Sequence, residues 1–351
     1  MSTLELPDNT PERACVPAID FHTHLGRWVA DNGTWMQSDV HQVVDLMEAV
    51  NVSSLVNLDG RWGRELEENL DRYDRSHPGR FYTFCHLDWR HLERPDAEER
   101  LVASLRSSVA SGARGLKIWK DLGMSVEVRG RRVLPDDPAL SPMWEEAGAL
   151  GIPVLIHVAD PVAFFLPVDH RNERLEELLR FRHVSREQGG LDEFHRLIDS
   201  VEHVIASHPN TSIVCAHGLY PENLAHVSRL CDQYDNFSID IAWAALQLGR
   251  QPRTARSFIL RHADRVLFGS DVFPLRQTTF STYFRFLETA DEGFPYTDGP
   301  GQTPGRWPIS GLDLPFEVCQ QVYRTNAARL LEPRDPRPAG SDRIAAAQAA
   351  E

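Results

Sequence analysis

Val16-Pro17-Ala18-Ile19-Asp20-Phe21-His22-Thr23-His24 is the stretch on which the reading of this chain turns. Its alternation predicts a short buried strand. Side chains two apart on a strand share a face, so His22 and His24 project side by side as two imidazoles able to close on one metal ion. In a chain with 15 histidines such a pair also arises by chance. Its meaning depends on what the ends of other strands bring to it.

Working outward, apolar strands alternate with helices about eight times. Further strands are expected at Val52–Leu58, Phe81–Leu87, Gly115–Trp119, Ile152–Val158, Ser212–His217, Phe237–Ile241 and Arg265–Asp271, with helices between them, the first capped by Ser38. This order predicts a (β/α)8 TIM-type barrel whose active site lies at the C-terminal strand ends. Residues 1–15 read as an N-terminal arm and 16–331 as the barrel. Within the barrel, 159–190 reads as a lid insertion after strand five, carrying Phe164 and Phe165 near its start. Pro315–Leu331 is expected as a C-terminal helical extension, and 332–351, rich in Pro, Asp and Ala, as a disordered tail.

Polar residues now fall at the ends of apolar strands: His22 and His24, then Lys117, His157, His217 and Asp271. Buried polar groups are costly unless paired or bound to a metal. Six in such register are hard to explain as structure alone. Lys117 also stands out by composition, because Lys117 and Lys120 are the only lysines in an Arg-rich chain. Arg replaces Lys wherever a cation suffices, but not where an amine must lose its proton or react. Lys120 reads as an ordinary surface lysine. Asp240, ending strand seven, fits either a ligand-orienting role or a plain cap. The remaining histidines fall on helices, in loops or mid-strand and read as structural. Trp28, Trp62, Trp89, Trp119, Trp243 and Phe273 follow strand ends, where they form either an apolar mouth or outer packing. Arg27 and Arg61 lie near the same face and could meet a carboxylate.

Composition narrows the class. A net charge of −14 disfavours nucleic acid and anionic membranes as partners. No apolar run is long enough to span a bilayer, and the polar N-terminus lacks a signal pattern, so a cytoplasmic location is expected. Five scattered cysteines argue against a disulfide framework.

The pieces Asp20-Phe21-His22-Thr23-His24, Gly115-Leu116-Lys117, Pro153-Val154-Leu155-Ile156-His157, Ala216-His217-Gly218, Phe268-Gly269-Ser270-Asp271 and Tyr323 to Leu330, in this order, resemble the amidohydrolase superfamily. The nearest resemblance is to its amidohydrolase-related branch, which includes the aminocarboxymuconate-semialdehyde and resorcylate decarboxylases. The resemblance implies that His22, His24, His157 and Asp271 hold a divalent metal, with Asp271 as general base. In one-metal members the position of His217 is catalytic. In two-metal members the position of Lys117 is a carboxylated lysine bridging both ions, with His157 and His217 on the second. Zinc is the favoured ion, with iron or manganese as the others. The implied function is a metal-dependent hydrolase acting on an amide, ester or lactone of a small organic substrate. Two alternatives share the ligand set. One is a nonheme diiron monooxygenase of the kind found in actinomycete terpenoid biosynthesis, which would need a redox partner. The other is a non-oxidative decarboxylase of an aromatic or unsaturated acid. A homodimer is compatible with the sequence, which leaves the oligomeric state open.

Overall fold

The computed structural model describes residues 5–29, 33–271, 273–296 and 304–332. Eight parallel strands follow one another in chain order: β1 (Ala18–Thr23), β2 (Val52–Asn57), β3 (Phe81–Cys85), β4 (Gly115–Ile118), β5 (Val154–Ile156), β6 (Ile213–Cys215), β7 (Phe237–Asp240) and β8 (Val266–Leu267). Each pairs with the next, and helices intervene. The ring is drawn together where Phe21 N–H donates to Phe268 O at 2.9 Å and Asp271 N–H donates to His22 O at 2.8 Å, joining β1 to the segment after β8. This is the (β/α)8 barrel expected from the alternation.

The strands are shorter than the apolar runs that encode them. The outer residues of those runs leave the ladder to form the loops that carry the site. The first helix, Val40–Ala49, is capped by Asp39, whose side chain accepts from His41 N–H; Ser38 is not the cap. Either residue type can do this, and the cap is worth about 1 kcal/mol.

A cluster drawn from β1, β2, β3, β5, β6 and β8 contains Ile19, Phe21, Val56, Phe84, Leu155, Val214 and Leu267. It packs with Ala327, Leu330 and Leu331 of the last helix, Asn326–Leu331. Buried aliphatic and aromatic side chains of this size stabilise by about 1.5–3 kcal/mol each. The register of β1 against β2 shifts between Asp20 and Thr23. Such irregularities re-aim side chains next to functional sites.

Residues 5–17 form neither helix nor strand but are tied down. Asn9 donates to Asp291 from its backbone (2.8 Å) and side chain (2.6 Å), and Ala14 N–H donates to Val50 O. The insertion after β5 has a turn at Val162–Phe165, with Phe164 and Phe165 buried, and a short helix at Leu175–Arg180. The C-terminal extension is helical from Phe316 to Leu331. The expected disordered tail lies outside the described residues beyond Glu332.

Candidate metal centre

The six strand-end residues converge, by different local routes. His22 lies on β1 and His24 one residue beyond it, their ring centroids 5.6 Å apart. Lys117 sits on β4, paired in register with Leu155 of β5, and His157 follows β5 directly. His217 and Asp271 do not continue their strands. Both take left-handed backbone, at φ 57° and 53°. Non-glycine residues adopt this conformation at a cost, which the surroundings must hold in place. For His217 the holder is Asp240: its Oδ1 accepts from the backbone N–H of His217 (2.9 Å) and of Ala242 (3.0 Å). For Asp271 it is the bond to His22 O.

Each histidine commits one nitrogen and leaves the other. His22 Nδ1 is 2.8 Å from Asp240 Oδ2, and His24 Nδ1 is 2.6 Å from Asp59 Oδ1. His217 Nδ1 is 2.8 Å from Ala242 O, and His157 Nε2 is 3.2 Å from Ala159 O. These partners accept only, so the nitrogens beside them carry protons. The opposite nitrogens then have lone pairs whenever the rings are neutral. Asp240 is therefore an orienting residue and not a plain cap.

The free edges face one another. Asp271 Oδ1 is 3.1 Å from His24 Nε2 and 3.6 Å from His22 Nε2, while Asp271 Oδ2 is 3.9 Å from His217 Nε2. The 3.1 Å approach is close but not directed as a hydrogen bond. His22 Nε2, His24 Nε2, Asp271 Oδ1, Lys117 Nζ and His157 Nδ1 are all buried without a hydrogen-bond partner. An unsatisfied buried polar group costs about 1–3 kcal/mol, so this concentration marks a place prepared for a ligand. His22, His24 and Asp271 offer three ligand atoms within 4.8 Å of one another; His22, His217 and Asp240 do so as well. The first trio is the better cage, because both Asp240 oxygens are already spent on hydrogen bonds. His157 joins neither trio, although its ring lies 4.4 Å from that of His217. Imidazole nitrogen with carboxylate oxygen suits zinc, iron or manganese, so the residues fit a divalent ion.

Electrostatics follow from burial. Burial pushes Lys117 down to about 8, despite nearby Asp240 and Asp271. It drives His22 and His157 well below the ordinary value. Burial also opposes a charge on His24, but Asp59 and Asp271 outweigh it and raise His24 to about 9. Burial would raise Asp271, yet His22, His24 and His217 hold it below the usual carboxylate range.

Two supporting carboxylates were not singled out from sequence. Asp59 follows β2 and accepts from His24, from Gly26 N–H at 2.9 Å and from Trp28 Nε1 at 2.7 Å. Asp20 accepts from the backbone N–H of His22 and Ser270 and from the Ser270 hydroxyl, tying β1 to the Asp271 loop. Both were legible as carboxylates on or after an apolar strand. Trp119 packs edge-on against His24 and His157, each at 5.6 Å, and Trp28 stands 4.9 Å from Trp119. Phe273 also packs against His24 at 5.6 Å, and Trp243 Nε1 donates to Asp271 O. Arg27 is consumed by Glu65 and Glu68. The Arg61 guanidinium rests on Trp28 and Trp62, with no ion pair among the described residues. Lys120 pairs with Asp160 at 2.5 Å, an ordinary structural role.

A cavity of about 280 Å³ opens beside the cluster, walled by His157, His217, Asp271 and Trp243 on one side and Phe164 and Arg174 of the insertion on the other. Fold and site together define a barrel enzyme with its polar centre at the strand ends. The chain belongs to the amidohydrolase family, whose model matches residues 19–332. No curated protein matches it in sequence. Among solved structures it resembles an uncharacterized TIM-barrel protein from Bordetella bronchiseptica (14% identity, 90% of this chain and 98% of that one, TM-score 0.57). It also resembles a zinc-bound amidohydrolase from Burkholderia multivorans (14%, 90% and 98%, 0.51). A third is 4-oxalomesaconate hydratase from Rhodopseudomonas palustris (13%, 90% and 95%, 0.51). At these identities the likeness speaks to fold. Among the described residues no helix is long and apolar enough to cross a membrane.

Proposed function

We propose that the chain is a metal-dependent hydrolase acting on an amide, ester or lactone of a small organic substrate. The observation that carries this reading is the convergence of uncommitted histidine nitrogens on Asp271 Oδ1 at the wall of a cavity. His22, His24 and Asp271 would hold the ion, with His157 adjoining. Lys117, carboxylated, would bridge to a second ion beside His157 and His217. Zinc is the favoured metal, as bound in the Burkholderia relative. A bound divalent ion polarises a substrate oxygen and lowers the pKa of water.

The rest falls to the chain. Asp271 keeps Oδ2 toward His217 and the cavity. Held ionised, it takes the proton of the attacking water as general base and passes it to the leaving group. His217, with Nδ1 anchored on Ala242 O, presents Nε2 to the substrate carbonyl or to the second ion. Trp28, Trp119 and Phe273 limit water on the His24 side.

The test is metal analysis of protein purified without added metal, followed by turnover of a panel of lactones, esters and amides with wild type and Asp271→Asn. Zinc or manganese, oxygen-independent hydrolysis, and its loss in the variant are expected. Iron with a requirement for oxygen and a reductant would replace this reading by the monooxygenase. Release of carbon dioxide would replace it by the decarboxylase.

A further inference from the structure

The cavity beside the candidate metal centre carries further polar groups that are no part of the cage. Arg174 stands just before the helix Leu175–Arg180 of the insertion and lines the cavity, yet it is only 6% exposed. Its Nη1 donates to Glu177 Oε2 at 3.0 Å. Its guanidinium carbon lies 5.7 Å from the ring centroid of Phe164 and 5.9 Å from that of Trp307, which hold the group in place. Arg174 Nε is buried and has no hydrogen-bond partner. Asp160 lines the same cavity and is equally buried. Its Oδ1 accepts from Lys120, and its Oδ2 is left buried and unpartnered. Phe164, Phe194, Leu219 and Trp243 supply the apolar wall.

A buried donor and a buried acceptor without partners, in one cavity, call for an occupant with matching atoms. Charge decides its class. Among the described residues lining the cavity, Arg174 is the only arginine or lysine, and Glu177 already pairs with it. Glu222, on the same wall, accepts from Gln247 Nε2 at 3.3 Å and also feels the charge of Arg174. A substrate carboxylate would lose its water beside Asp160, Glu177 and Glu222, with no unpaired cation to meet it. An uncharged oxygen carries no such penalty and can accept from Nε.

We propose that this part of the cavity is a specificity pocket for an uncharged, largely apolar substrate whose carbonyl or hydroxyl oxygen accepts from Arg174 Nε. Carboxylates are excluded from it. The inference rests on the cavity being the substrate site of the hydrolase proposed above. Arg174 is then a specificity-determining residue, because a site with a buried donor discriminates against the analogue that lacks the acceptor. A hydroxyl in the same region can also donate to Asp160 Oδ2. The insertion thus selects what enters as well as covering it.

Equilibrium dialysis of the full-length protein, as purified, against 2-acetylnaphthalene, 2-ethylnaphthalene and 2-naphthoate compares one apolar body with three end groups. The ketone should bind about tenfold tighter than the hydrocarbon, and the carboxylate weakest. Arg174→Met keeps the bulk without the donors; it should bind ketone and hydrocarbon alike, with metal content unchanged. Glu177→Gln frees the charge of the guanidinium and should strengthen naphthoate binding about tenfold while sparing the ketone. Dialysis reads binding and not turnover, so an absence of hydrolysis would remove the proposed reaction and leave this result standing. An undiminished ketone preference in Arg174→Met would overturn the pocket. So would naphthoate binding tightest in the wild type and weakening in that variant, or no saturable binding of any probe.

Discussion

Replacing Asp59 with asparagine should flatten the pH dependence of metal uptake, because that carboxylate sets the proton with which a metal must compete. Asp59 accepts from His24 Nδ1 at 2.6 Å, and its charge, with that of Asp271, keeps His24 protonated up to about 9 despite burial. A metal binding His24 Nε2 at pH 7 must expel that proton. Two pH units of competition cost about 2.7 kcal/mol, or about 100-fold in apparent affinity. The wild-type Kd for zinc should therefore fall by about tenfold per pH unit, beyond any change shared with other ligands, from pH 7 to about 9. Asparagine keeps the shape and an accepting oxygen but not the charge. His24 should then lose its proton near or below its ordinary value of about 6.5. The variant should release one proton fewer on binding zinc at pH 7. It should also bind about 10–100-fold more weakly at pH 9, where only the lost orientation and ligand basicity count. The two affinities should converge toward neutrality. Stability follows the same group. The folded pKa of His24 is raised, so its contribution is complete below about pH 6.5 and is lost as pH rises through 9. The full shift corresponds to about 3 kcal/mol. Calorimetric zinc titrations in buffers of different ionisation enthalpy count the protons. Denaturant melts of metal-free protein at pH 6 and 9 read the stability. Equal proton release by wild type and variant, or a wild type equally stable at both pH values, would refute the reasoning.

His22→Ala should strip metal and activity while the far-ultraviolet circular dichroism stays that of the barrel; normal metal content would remove His22 from the cage. Lys117→Arg should reduce two ions per chain to one, since a guanidinium cannot be carboxylated in this way; a wild type already holding one ion would refute the bridging role. Gly269→Ala would place a Cβ 2.9 Å from His22 Cβ, with Ala242 and Asp240 Cβ atoms each at 3.5 Å. Such overpacking costs about 1–3 kcal/mol and should displace His22, so both melting temperature and metal occupancy should fall together. Removing 172–182 from the insertion should lower kcat/KM on the true substrate and spare metal content; unchanged kinetics would reject a lid.

The barrel was readable because its strands are short apolar runs ended by polar residues, a pattern that survives even though several ladders are only two or three residues long. The same pattern puts His22, His24, Lys117 and His157 on or directly after strands, which is where the structure has them. His217 and Asp271 reach the same cluster by a route that the strand pattern does not describe. They are not strand ends but residues on left-handed turns just beyond, and a turn of that kind at a non-glycine residue has no strong sequence signature. Asp59 was open to the same argument as the histidines. Its sequence signal is ambiguous, because a carboxylate before glycine also reads as an ordinary turn. The cap at Asp39 rather than Ser38 shows the usual ambiguity between adjacent residues of one capping type.

The bonds from Phe21 to Phe268 and from Asp271 to His22 put the candidate metal centre on the seam where the first strand meets the last. A nascent chain that has left the ribosome only through β7 already carries His22, His24, Lys117, His157 and His217. It lacks Asp271 and has nothing to hold β1 in the ring. Its imidazoles are then dispersed, and a metal ion met at that stage finds no three-point cage. Loading of the proposed cage would therefore wait until the last strand joins the ring, and a chain cut before that strand would be left both open and without its three ligands. Quality control that recognises an unclosed barrel would by the same act remove chains that lack Asp271 from the proposed cage.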